Sequence, residues 1–152
     1  MPDQEEVVEG IDRLISKLKD SEDYWNKTID DLQARLNCSA KNVIPLQADV
    51  ISLRQHLVEN VKNMSYQLYK LMPKIKAYRK QRFEYYIGAL APYSTNASER
   101  TKLVEWELAL YDQQKDVLDS HIDFLRESLK DMDNLNFAIK NKIALYQLTE
   151  LE

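Results

Sequence analysis

ERTKLVEWELALYDQQKDVLDSHIDFLRESLKDMDNLNFAIKNKIALYQLTELE, residues 99–152, contains neither glycine nor proline. Within it Val104, Leu108, Tyr111, Lys115, Leu118, Ile122, Leu125, Leu129, Met132, Asn136, Ile139, Ile143 and Tyr146 advance by alternating steps of four and three. Only a lysine and an asparagine interrupt this run, which has the spacing of a heptad seam on one α-helix. At 1.5 Å per residue such a helix spans about 80 Å, more than the width of a small globular domain. It must therefore lie against a second long element, and the rest of the chain supplies one.

Upstream, residues 88–98, GALAPYSTNAS, form the one clear loop, with Gly88, Pro92 and a small polar run. Asn96 followed by Glu99 has the spacing of a capping box that starts the long helix. Before the loop, Val50, Leu53, Leu57, Val61, Met64, Leu68, Leu71, Ile75 and Tyr78 also advance by three or four. This predicts a second helix from near Pro45, with a kink or restart at Pro73 and an αL cap at Gly88. Asn37–Pro45, NCSAKNVIP, reads as a connector. Before it, Val7, Ile11, Leu14, Leu18, Trp25, Ile29, Leu32 and Leu36 predict an amphipathic helix, weakened at its start by Gly10 and Ser21. Its ten acids against five bases read as a solvated face.

The expected fold is thus all-α. It is a long antiparallel helical hairpin with coiled-coil-like heptad seams over residues 37–152, preceded by an acidic helix over residues 1–36. Apolar surface left over by the hairpin is expected between subunits of an oligomer. Leu118, Ile122, Leu125, Leu129, Met132, Phe137, Ile139 and Ile143 are the expected assembly residues, and Leu103, Trp106, Leu135 and Leu148 are further candidates off the main seam. Asn136, polar within the seam, fits a register-setting position.

Composition agrees. Two glycines and four prolines in 152 residues, with 30% charged side chains, favour long helices over sheets. Cys38 is the only cysteine, so no internal disulfide forms and a reducing compartment is expected. An acidic start without an apolar core, and no apolar run of about eighteen residues, argue against secretion and membrane spanning.

The charge is unevenly distributed. Between Glu59 and Glu84 there is no acid, yet Lys62, Lys70, Lys74, Lys76, Arg79, Lys80 and Arg82 all fall there. The whole chain carries −4, so everything outside this stretch carries −11. Tyr66, Tyr69, Tyr78, Phe83, Tyr85 and Tyr86 are interleaved with the cations. Cations for phosphates and rings for unstacked bases are what single-stranded nucleic acid requires of a binding surface. At about 100° per residue, Lys62, Tyr66, Tyr69, Lys76 and Lys80 fall opposite the apolar seam, so packing and binding do not compete there. Arg82 instead falls close to the seam on a straight helix. Tyr78 continues the seam and belongs to the core.

Chemistry of other kinds is missing. His56 and His121 lack a second histidine or cysteine at ligand spacing, so no metal site is expected. Nothing matches a phosphate-binding loop, a dinucleotide fingerprint or a nucleophile elbow, and no cofactor is expected. The acid pairs Asp30 with Asp31 and Asp131 with Asp133 have no accompanying base. The sequence reads as a protein that binds and assembles rather than an enzyme.

The run Arg79-Lys80-Gln81-Arg82-Phe83-Glu84-Tyr85-Tyr86-Ile87-Gly88 resembles the single-strand-binding motif of the UvsY recombination mediators of tailed phages. Lys80 and Arg82 match its two basic residues. Phe137-Ala138-Ile139-Lys140 resembles a second string of that family, and the similarity covers the chain from about Leu32 onwards. Arg79 and Gln81 stand where the family has apolar residues, and residues 1–30 look like an extension. The resemblance implies a ring-shaped homo-oligomer, heptameric in the family, acting in the cytoplasm of an infected bacterium. It implies three partners: single-stranded DNA, a RecA-like recombinase of the UvsX type and a single-strand-binding protein that the recombinase displaces.

Two other readings share the same pattern. The cations can form a solvated face paired with acids of a neighbouring subunit, which makes the chain a coiled-coil adaptor or assembly chaperone without DNA binding. A basic amphipathic helix can also lie on an anionic membrane, but here the opposite face is committed to packing.

Overall fold

The computed structural model describes residues 4–88 and 96–150. They form three helices, α1 (Gln4–Ala34), α2 (Ala40–Ile87) and α3 (Ala97–Glu150), and no strand among the described residues. The fold is all-α, as expected. Residues 89–95 of the expected loop, including Pro92, lie outside the described residues, as do residues 1–3 of the expected N-terminal segment.

Asn96 opens α3 with the reciprocal bonds anticipated for it. The Glu99 N–H donates to Asn96 Oδ1 at 2.8 Å, and the Asn96 N–H donates to Glu99 Oε2 at 3.3 Å. Gly10 lies inside α1, where a Cβ would meet no atom within 4 Å. Gly10→Ala is therefore expected to stabilise the protein by about 0.5–1 kcal/mol by removing backbone freedom from the unfolded chain. A rise in urea midpoint with unchanged slope is the readout.

Three expectations about α2 need correction. The helix starts at Ala40, not near Pro45. Val43 and Leu46, 3% and 0% exposed, continue the seam of Val50 and Leu57 back into the supposed connector. Their burial outweighs the one hydrogen bond that Pro45 cannot donate, whose acceptor belongs to exposed Lys41. Second, of the kink or restart expected at Pro73, the restart does not occur, because α2 is continuous to Ile87. The carbonyl that loses its partner there belongs to Tyr69, on the exposed face, where solvation is available. Third, Gly88 is not an αL cap. No glycine has positive φ among the described residues, and the Gly88 N–H donates to the Glu84 and Tyr85 carbonyls at 3.0 and 3.2 Å, closing the helix with a tightened turn.

The chain divides into two compact units, and the division cuts across all three helices. One unit takes Met1–Ile15 and Met64–Ser120. In it Tyr86, Val104 and Leu108 form a buried cluster, with Tyr78, Phe83, Tyr85, Leu103 and Tyr111 packed against it. Arg79 reaches Asp112 while Arg82 reaches Glu107, so α2 and α3 run antiparallel here.

The other unit takes Ser16–Asn63 and His121–Glu152. Its core holds Leu18, Trp25, Ile29, Leu32, Leu46, Val50, Leu57, Leu125, Met132 and Ile139. Here α1 is an integral third helix, held by Arg35 to Asp49 of α2 and by Glu22 to His121 of α3. Lys142 Nζ and Tyr146 Oη on α3 donate to the carbonyls of Leu36 and Cys38, satisfying acceptors just beyond the end of α1. Buried His121 hydrogen-bonds Glu22, and its ring stacks on Phe124.

Packing within the chain changes the fate of the α3 seam. Leu118, Ile122, Leu125, Met132 and Ile139, expected between subunits, are buried inside the single chain, as is Leu135. Leu129 and Ile143 are half-buried, and Phe137 remains 67% exposed. The Asn136 Oδ1 atom is buried without a hydrogen-bond partner among the described residues.

Candidate nucleic-acid interface

The part of α2 from Met64 to Ile87 positions the basic and aromatic side chains. Its helical phase sorts them into two groups. Taking Tyr66 as the reference and about 100° per residue, Tyr69, Lys70, Lys76, Lys80 and Glu84 lie within about 80° of it, whereas Leu68, Ile75, Arg82 and Tyr86 lie more than about 150° away.

The first group faces solvent. Tyr66 and Tyr69 are 58% and 74% exposed. Lys70, Lys74, Lys76 and Lys80 are exposed too, as is Lys62, which belongs to the other unit. The Lys70 ammonium lies 4.4 Å from the centre of the Tyr66 ring, a cation–π contact that draws charge and ring to one spot. Lys80 approaches Glu84 only to 4.0 Å and keeps most of its surface open, so the pair holds it weakly. Lys62, Lys70, Lys74 and Lys76 form no ion pair among the described residues.

The second group is bound into the fold. Arg82 donates from Nε and Nη2 to the two carboxylate oxygens of Glu107, at 2.5 and 3.0 Å, and Tyr86 Oη donates to the same carboxylate. The guanidinium also lies 4.4 Å from the Tyr85 ring centre. Glu107's hydrogen bond holds the Arg82 pKa above its ordinary value against the opposing effect of burial. Burial pushes Glu107 up, but the hydrogen bonds from Arg82 and Tyr86, with the charge of Arg82, leave its carboxyl below the usual range. Burial likewise raises the Tyr78 phenol.

Arg79 stands between the two groups. It donates from Nη1 to Glu105 at 2.9 Å and from Nη2 to Asp112 at 3.1 and 3.2 Å. The expected contact set therefore separates: five lysines and two tyrosines are presented to solvent, and both arginines are engaged by α3. The three acids were missed. The signal was present, because Glu105 and Asp112 occupy e positions and Glu107 a g position beside the Val104, Leu108, Tyr111 seam, where interhelical ion pairs form.

Among the described residues no group of histidine, cysteine and acidic side chains is placed to hold a metal ion, and no helix is long and apolar enough to cross a membrane. No protein-family model matches the chain, and searches of the curated proteins and of the solved structures likewise find no match.

Proposed function

We propose that this protein is a recombination mediator of the UvsY type, which binds single-stranded DNA as a homo-oligomer without catalysing a reaction. The observation that carries the proposal is the exposed face of α2, where Tyr66 and Tyr69 alternate with Lys70, Lys76 and Lys80. Rings that hydrophobic packing leaves out, beside Lys70 and Lys76, which form no ion pair among the described residues, and Lys80, which Glu84 holds only weakly, supply stacking and phosphate contacts together. Of the two basic residues carried over from the family string, Lys80 belongs to this face, whereas Arg82 is held by Glu107.

One subunit offers few contacts. A ring, heptameric by the resemblance, repeats them at high effective concentration, so the strand is held while each contact releases easily. Exposed Phe137, Leu145 and Leu148 on α3 supply apolar surface for such assembly. In the cytoplasm of an infected bacterium, releasable contacts suit handing the strand to a RecA-like recombinase while a single-strand-binding protein is displaced.

The test is fluorescence anisotropy of a labelled single-stranded oligonucleotide across a salt series, with a matched duplex as control and the oligomer mass measured alongside. Preferential single-strand binding is expected, weakening steeply with salt. Lys70→Gln with Lys76→Gln is expected to reduce the salt slope by about 1.4, at about 0.7 per lost phosphate contact. A well-folded oligomer that ignores the strand would leave the adaptor reading in its place.

A further inference from the structure

Arg79 and Arg82 both lie in ion pairs, but the two pairs differ in how openly they are held. The Arg82 and Glu107 side chains are 22% and 13% exposed, and Tyr86 closes on the same carboxylate. That pair is a clamp inside the packing. Arg79 is 34% exposed, with Glu105 at 47% and Asp112 at 34%, so solvent reaches all three groups. Half-open pairs of this kind are weak enough to exchange.

A guanidinium fork fits a phosphate as well as it fits a carboxylate. Arg79 lies about 60° around α2 from Lys76, at the edge of the exposed lysine and tyrosine face. Beside it opens a groove of about 550 Å³, lined by Met72, Ile75, Lys76, Arg79, Asp112, Lys115 and Asp116. A strand lying along the exposed face thus passes within reach of a cation that α3 has already occupied.

We propose that Glu105 and Asp112 compete with nucleic-acid phosphate for Arg79, so that α3 restrains strand binding by α2; this rests on the single-strand reading above. The two acids are seven residues apart on α3, one on each side of the guanidinium's reach, and together they act as an internal stand-in for the phosphate. Displacing them adds one contact per subunit and leaves two carboxylates facing the strand. The restraint keeps the contact reversible.

The experiment measures labelled oligothymidylate binding across a salt series for four full-length chains: wild type, Glu105→Gln with Asp112→Asn, Arg79→Gln, and the triple variant. The acid-to-amide replacements are near-isosteric, Arg79→Gln shortens a partly exposed side chain, and circular dichroism checks that helix content is kept. Removing the acids is expected to tighten binding about ten-fold, the worth of one charge-assisted contact. The salt slope should steepen by about 0.7. Both gains should vanish in the triple variant.

A gain that persists without Arg79 means that the acids act only through their general field, and overturns the proposal. So does no gain at all in a chain that binds the strand. A chain that binds no strand with or without the acids refutes the single-strand reading itself, and the restraint falls with it.

Discussion

Replacing Tyr66 and Tyr69 together with alanine is expected to weaken single-strand binding by about 30-fold or more while leaving its salt dependence unchanged. Base stacking on an exposed aromatic is worth about 1–3 kcal/mol per base, so two rings at the low end contribute about 2 kcal/mol. Neither ring carries charge, so the number of released counterions stays the same. The fold should tolerate the change, because both rings are more than half exposed and alanine favours the helix. Anisotropy at several salt concentrations separates this outcome from loss of the lysines, which flattens the slope. Unchanged affinity in the double variant would show that the rings are not a stacking platform.

Glu107→Gln is expected to lower folding stability by about 2 kcal/mol near neutral pH, the largest stability effect predicted for a side chain outside the apolar core. The charge it removes receives Arg82 through two donors and Tyr86 through a third. Charge-assisted bonds of this kind are worth about 1.5–3 kcal/mol, less some screening at a site that is not fully closed.

The pH dependence has a definite sign. Burial raises the Glu107 pKa, but the bonds from Arg82 and Tyr86 and the charge of Arg82 outweigh it, so the native carboxyl lies below its unfolded value. Its contribution is therefore complete above the ordinary glutamate range and is lost as pH falls through the lowered native value. Denaturant melts of wild type and variant should show a constant gap from neutral pH down to that range, closing at more acid pH. A gap that ignores pH would mean that the pair contributes through shape rather than charge.

The helices and the exposed face were legible in the sequence because both rest on local information. A repeat of three and four residues fixes which side chains share a helical face, so the apolar stripes, the Asn96–Glu99 cap and the outward placement of Tyr66, Tyr69 and the lysines follow from neighbours less than two turns away. Arg82 was legible only by half. Its phase put it on the seam side, but the acid that accepts it there lies 25 residues on, across the helix pair.

Tertiary structure decided what local spacing leaves open. A heptad seam carries no mark of what covers it, and from spacing alone Leu118, Ile122, Leu125, Met132 and Ile139 read as subunit contacts. In the folded chain all five are buried without any partner subunit. The start of α2 moved for the same reason, since burying Val43 and Leu46 outweighs the local preference that Pro45 expresses. The partners of Arg79 and the donors to the Leu36 and Cys38 carbonyls come from residues 26 to 108 positions away. Periodicity tells which way a side chain points, and only packing brings the group that meets it.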